Sequence, residues 1–137
     1  MSPPVPNQEP SARRRVLLVD DEPAMLVLLD RLLRGDYEVV AVASAPEALT
    51  LLEAGQLFDV MVCDLMMPGM SGIELHGALK STHPDLAAKM IFCSAGADSP
   101  QLRAFLDDTG NRFISKPFKM AQVRALVREL LSEPGAA

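Results

Sequence analysis

Along the chain, short wholly apolar runs alternate with longer stretches in which apolar residues recur every three or four positions. Val16-Leu17-Leu18-Val19 is an apolar run of strand length, closed by the acids Asp20-Asp21-Glu22. Pro23 suits the first turn of a helix, where its missing N–H costs nothing. Met25, Leu28, Leu29, Leu32 and Leu33 then follow at helical spacing, and Gly35 is a stop signal. Val39-Val40-Ala41-Val42, led in by Tyr37, predicts a second strand. Ser44 is an N-cap candidate for a helix over residues 45–54, and Glu47 offers the partner of a capping box.

Val60-Met61-Val62-Cys63 predicts a third strand that ends at Asp64. The turn-forming segment Met67-Pro68-Gly69-Met70-Ser71-Gly72 follows, and then a helix over residues 73–81. Met90-Ile91-Phe92-Cys93 is the fourth strand, ended by Ser94. A fourth helix is expected over residues 101–108, with Leu102, Phe105 and Leu106 facing inward. Phe113-Ile114 is a short fifth strand. Met120, Val123, Leu126, Val127, Leu130 and Leu131 mark the fifth helix, which Glu133-Pro134-Gly135 ends.

Five strands thus alternate with five helices. Fully apolar strands joined by helical crossovers imply an α/β fold with a parallel sheet covered on both faces. Right-handed crossovers leave few topologies. The expectation is a doubly wound five-stranded parallel sheet of order 2-1-3-4-5, flavodoxin-like, with helices on both faces.

Composition narrows the function classes. The 137 residues are 49 % apolar and 23 % charged, with a formal net charge of −5, which suits one globular domain with its own core. No run approaches the ~20 apolar residues of a membrane span. The first residues lack the apolar core of a signal peptide. The acidic balance speaks against nucleic-acid or membrane-surface binding, and a cytoplasmic location is expected. Residues 1–15 hold four prolines, and three arginines against Glu9 alone, whereas the rest holds 10 basic and 17 acidic groups. They read as a Pro/Arg-rich leader with no core to bury, Arg13-Arg14-Arg15 being a solvated flank. Residues 16–132 are the expected domain and 133–137 a short tail.

In such a sheet, ligands bind outside the carboxyl ends of the strands, at the switch point between strands 1 and 3. Asp20 and Asp21 stand at the end of strand 1 and Asp64 at the end of strand 3. Neighbouring strands lie about 4.8 Å apart. Two unit charges 4 Å apart repel by about 4 kcal/mol at an effective dielectric of 20, a large fraction of the ~5–15 kcal/mol that holds a domain together. Three acids at one rim therefore call for a cation. Hard oxygen donors that stay partly hydrated suit Mg²⁺. Ser94, ending strand 4, and Lys116, following strand 5, fall at the same rim. A hydroxyl donor, an ammonium and a metal are what a tetrahedral oxyanion requires.

At this point the chain resembles the receiver domain of two-component response regulators. The matching motifs are Leu18-Val19-Asp20-Asp21-Glu22-Pro23, Asp64-Leu65-Met66-Met67-Pro68-Gly69-Met70-Ser71-Gly72, Ser94-Ala95-Gly96 and Lys116-Pro117-Phe118. The resemblance implies a signalling module rather than an enzyme, with Asp64 as phosphoacceptor. It implies that Asp21 and Asp64 bind Mg²⁺ (or Mn²⁺) directly, Asp20 through water, and the Met66 backbone carbonyl as a further ligand. Lys116 would pair with the phosphoryl oxygens, and its bond to Pro117 would be cis. Ser94 and Phe113 would form the switch, and the face of the fourth helix, fifth strand and fifth helix would carry the output. The implied partners are a histidine kinase or phosphotransfer protein, a downstream protein target, and a second copy in a phosphorylation-dependent homodimer. No nucleic acid or membrane is among them.

The sequence departs from the commoner family pattern in two ways: Ser94 stands where Thr is usual, and Phe113 where Tyr is usual. Met66 and Gly96 occupy the positions where the family tunes dephosphorylation, and neither offers a group to orient water. A phosphatase with an Asp nucleophile would need a second Asp two residues on, where Met66 stands. A receiver fold used only for docking, without phosphorylation, is the alternative. With no room for an output domain after Ser132, a free-standing regulator or a receiver from a hybrid kinase is expected. Cys63 and Cys93 are expected to share one buried face, His76 and His83 to lie at the surface.

Overall fold

The computed structural model describes residues 13–95 and 99–132. Within them the chain runs β1 (Arg15–Val19), α1 (Pro23–Leu33), β2 (Glu38–Val42), α2 (Ala45–Glu53), β3 (Val60–Asp64), α3 (Gly72–Thr82), α4 (Pro84–Ala88), β4 (Met90–Ala95), α5 (Pro100–Thr109), β5 (Arg112–Lys116) and α6 (Met120–Ser132). All strand pairs are parallel, in the order β2-β1-β3-β4-β5. The expected doubly wound α/β topology is therefore the observed one.

Alternate strand residues face opposite layers. Leu17, Val19, Met61 and Phe92 pack beneath α2, α3, α4 and α5. Val16, Leu18, Val62 and Ile91 pack beneath α1 and α6. Among the described residues no helix is long and apolar enough to cross a membrane.

Local chemistry sets the helix starts. Ser71 Oγ accepts from the Glu74 N–H at 3.1 Å while Glu74 Oε1 accepts from the Ser71 N–H at 2.8 Å, a full capping box. It starts α3 at Gly72, one residue before the expected position. At Ser44 the expected box is incomplete: the hydroxyl accepts from Glu47 N–H, but the Glu47 carboxylate takes the Ala43 N–H. Ser99 caps α5, which ends at Gly110 in the left-handed region at φ 74°.

The structure corrects further expectations. The described residues hold six helices rather than five, because α4 inserts one turn between α3 and β4. Five residues are too few to show a 3.6-residue period, although Pro84 marks its first turn. Cys63 and Cys93 face opposite layers. In the β3–β4 register Cys63 pairs with Phe92 and Asp64 with Cys93, and a one-residue offset reverses the face of every side chain. Burial pushes both thiols up, Cys93 to about 12, so they serve as apolar packing.

The arginine triplet, third, is not only a solvated flank: Arg13 and Arg14 are exposed as expected, but all three contact the fold. Arg13 donates to the carbonyls of Arg34 and Tyr37, and Arg14 pairs with Asp59 at 3.8 Å. Arg15 opens β1, donates to the Leu57 carbonyl at 2.8 Å and lies 4.5 Å over the Phe58 ring. Residues 1–12 of the expected leader, Gly96 and the 133–137 tail lie outside the described residues.

Candidate functional site at the carboxyl ends of the strands

The turn that leaves β1 presents the first two acids. Asp20 directly follows the strand, and its Oδ1 accepts from the Glu22 N–H at 2.9 Å, an Asx-type turn that leads into Pro23. Asp64 is the last residue of β3, and β1 and β3 are neighbours. Asp20, Asp21 and Asp64 consequently offer carboxylate oxygens that all lie within 4.8 Å of one another. Asp20 and Asp64 are only 3 % and 7 % exposed, while Asp21 is exposed.

Lys116 ends β5 and precedes a cis bond to Pro117. Its ammonium stands 3.3 Å from Asp20, 3.6 Å from Glu22 and 3.7 Å from Asp64. One ammonium thus faces three carboxylates, and Asp21 adds a further acid to the same cluster. Burial raises the Asp64 pKa above 3.8, the negative Asp20 adds to the rise, and Lys116 and the Met66 N–H oppose it. Burial works against the Lys116 ammonium, yet Asp20 and Asp64 outweigh it and hold its pKa above 10.5. The neighbouring negative charge is therefore incompletely neutralised by protein groups.

The donors are hard oxygens in a part-hydrated cluster, the set that a divalent cation such as Mg²⁺ takes. Charge excess and donor chemistry both fit such an ion, so the cluster could hold one.

Ser94 lies near the end of β4, 1 % exposed, and among the described residues its hydroxyl donates a long 3.3 Å bond to the Ala95 carbonyl. Met66 is 72 % exposed, and its N–H donates to Asp64 Oδ1 at 3.4 Å. Phe113 is half-buried against the α2–α5 layer. Two participants escaped sequence reasoning. Glu22 is a partner of Lys116, which its place in an acidic triplet could have suggested. Gly72 is the other: a Cβ there would lie 2.7 Å from the Asp64 carbonyl oxygen, a contact visible only in three dimensions.

Residues 16–128 match the family model of the response regulator receiver domain, and the chain belongs to that family. It is 38 % identical over 125 residues to the sensor kinase CckA of Brucella abortus, covering 90 % of this chain and 13 % of that protein. It is 31 % identical over 127 residues to the DNA-binding response regulator MtrA of Mycolicibacterium smegmatis, covering 89 % of this chain and 54 % of that protein. The chain thus spans about half or less of these relatives. Among solved structures it is similar to a CheY-like receiver domain protein from Methanospirillum hungatei, with a TM-score of 0.80, 29 % identity, and coverage of 89 % of this chain and 96 % of that one. It also matches the signal receiver domain of a histidine kinase from Syntrophus aciditrophicus, with a TM-score of 0.77, 28 % identity, and coverage of 90 % and 94 %.

Proposed function

We propose that Asp64 accepts a phosphoryl group from a phosphohistidine on a histidine kinase or phosphotransfer protein, and that residues 16–132 act as the receiver unit. An Asp64 carboxylate oxygen attacks phosphorus, the bond from phosphorus to the histidine nitrogen breaks, and the departing imidazole takes up a proton. The observation that carries this reading is the Lys116 ammonium placed 3.3 Å from Asp20 and 3.7 Å from Asp64, a positive group beside the nucleophile where phosphoryl oxygens would gather. Phosphoryl transfer depends mainly on positioning and charge neutralisation, and these residues supply both.

Asp21, Asp64 and the Met66 carbonyl would hold Mg²⁺ or Mn²⁺, with Asp20 acting through water. The bound ion would neutralise charge on the carboxylates and the incoming group. Ser94 would donate to the phosphoryl oxygens, with its weak bond to Ala95 given up. Phe113 would follow inward, and the α5–β5–α6 face would change its partner preference, a population shift between two existing states. A downstream protein, or a second copy of the chain, would read that face.

Intact mass after incubation with acetyl phosphate and Mg²⁺ tests the proposal. One added phosphoryl group, absent in Asp64→Asn, is the expected result. No addition with small donors or a phosphorylated kinase would favour a receiver fold that only docks.

A further inference from the structure

His76 is not at the surface as its sequence context suggested. It lies on the inward face of α3, 5 % exposed. Its ring meets Phe105 of α5 edge-on, with centroids 5.2 Å apart at 85°, and Phe92 of β4 at 6.0 Å. Phe92 and Phe105 are themselves 5.4 Å apart. A titratable ring is therefore one corner of the aromatic triangle that fastens α5 to the sheet and to α3.

The same place holds an unmatched acceptor. Asn111, between α5 and β5, is 8 % exposed and donates from Nδ2 to the carbonyls of Ala87 and Met90, each at 2.9 Å. Among the described residues its buried Oδ1 has no hydrogen-bond partner, a cost of about 1–3 kcal/mol for a buried polar atom. The Asn111 side chain favours the charged form of His76 without reaching ordinary hydrogen-bond geometry, as an acceptor oxygen facing the ring does.

A cavity of about 270 Å³ opens beside the pair. Lys80, one turn along α3, repels a charged ring, and Asp108 on α5 is the acid that borders the cavity. α4 contributes Pro84, Ala87 and Ala88 there and β4 contributes Phe92, none of them titratable.

We propose that His76 is a proton-operated latch on α5: the neutral ring holds Phe105, and the protonated ring releases it. A neutral imidazole has one N–H, whereas an imidazolium has two donors that both need acceptors. Asn111 Oδ1 can satisfy one. The other must be met by water or by Asp108 through the cavity, and either route separates the ring from Phe105. α5 then moves away from α3. Burial, and then Lys80, hold the His76 pKa below 6.5 against the pull of Asn111, so the latch stays closed at neutral pH. It rests on the packing of α5 and not on chemistry at Asp64.

The test is an NMR titration of the full chain between about pH 5 and 8, the range in which histidine changes charge. It follows the histidine ring protons and the backbone amides. The expected result is a His76 midpoint below 6.5, with amides of residues 105–111 moving at that same midpoint. That movement is lost in His76→Phe, or in His76→Gln should the first variant not fold. An ordinary His76 midpoint, a ring neutral down to pH 5, or α5 amides titrating equally in the variant would each overturn the proposal.

Discussion

Asp64 lies directly opposite Cys93 in the β3–β4 register, so Ser94 stands one residue further along its strand. That step carries the Ser94 backbone about 3.3 Å further towards the carboxyl edge of the sheet than Asp64. The offset that separates the two cysteines is thus also what places a hydroxyl ahead of the candidate phosphoacceptor rather than beside it.

Ser94→Ala should therefore separate phosphoryl uptake from its consequence. Intact mass after acetyl phosphate is expected to show one added group as in the wild type, because Lys116 and the acids remain. Amide shifts in α5 on phosphorylation should shrink to a small fraction of the wild-type response. Equal responses in both proteins would remove Ser94 from the switch.

Asp64→Asn should stabilise the metal-free protein. It deletes one of three crowded carboxylates, while Lys116 keeps Asp20 and Glu22 as partners. Repulsion of about 4 kcal/mol per pair at 4 Å is a ceiling, and with Lys116 and water screening it a gain on the order of 1 kcal/mol is expected in urea unfolding. Mg²⁺ should reverse the order: a ligand at 100 times its Kd adds about 2.7 kcal/mol, and the variant lacks one ligand. Equal Mg²⁺ stabilisation of both proteins would place the ion elsewhere.

Most of this architecture was legible in the residues. Four apolar strand runs and the strong periods of α1 and α6 fixed the winding, and the acids at two strand ends pointed to the candidate site, where the structure brings them together. What stayed hidden depended on register and on short elements. The faces of Cys63 and Cys93 follow from a one-residue offset that no single strand encodes. α4 is too short to have a period, and His76 looked polar because its neighbours in three dimensions, Phe92 and Phe105, are remote in sequence. Lys116 and Ser94 were identified by spacing and family likeness rather than by pattern.

Gly72→Ala should cost about 1–3 kcal/mol, the usual range for overpacking. The added Cβ would sit 2.7 Å from the Asp64 carbonyl oxygen and 3.1 Å from the Leu65 Cα. Both are backbone atoms that move only with the β3 terminus. Phosphorylation from acetyl phosphate should slow as well, since Asp64 shifts with its own carbonyl. Unaltered stability and rate would show that the α3 start can slide away from β3 at no cost.

Acidification should weaken the fold through His76. The unfolded chain takes up its proton near pH 6.5, whereas the folded ring, with its pKa lowered, does so only at lower pH. The unfolded state thus binds more protons in the interval between, and stability contributed by this group falls as pH drops below 6.5. Asp64 acts in the opposite sense: its raised pKa means that relief of repulsion gains stability as pH falls through its folded value. Urea midpoints measured from neutral to mildly acidic pH should therefore decline less in His76→Phe than in the wild type. An identical slope would show that the ring is charged or solvated at neutral pH.

Met66→Asn should shorten the lifetime of the phosphorylated protein. The Met66 side chain is 72 % exposed directly after the Asp64 turn, and its backbone N–H is already directed at Asp64 Oδ1. Two residues from the proposed phosphoacceptor, an apolar thioether neither donates to nor orients an attacking water. An amide at the same exposed position can do both. Positioned general acids and bases commonly contribute 10²–10⁴, and an amide that only orients water should deliver less than that range, roughly tenfold. Decay of the phosphorylated species, followed by intact mass after removal of acetyl phosphate, reads the effect. A half-life unchanged by the substitution would mean that water reaches the phosphoryl group from the side of Ser94 and β4 instead.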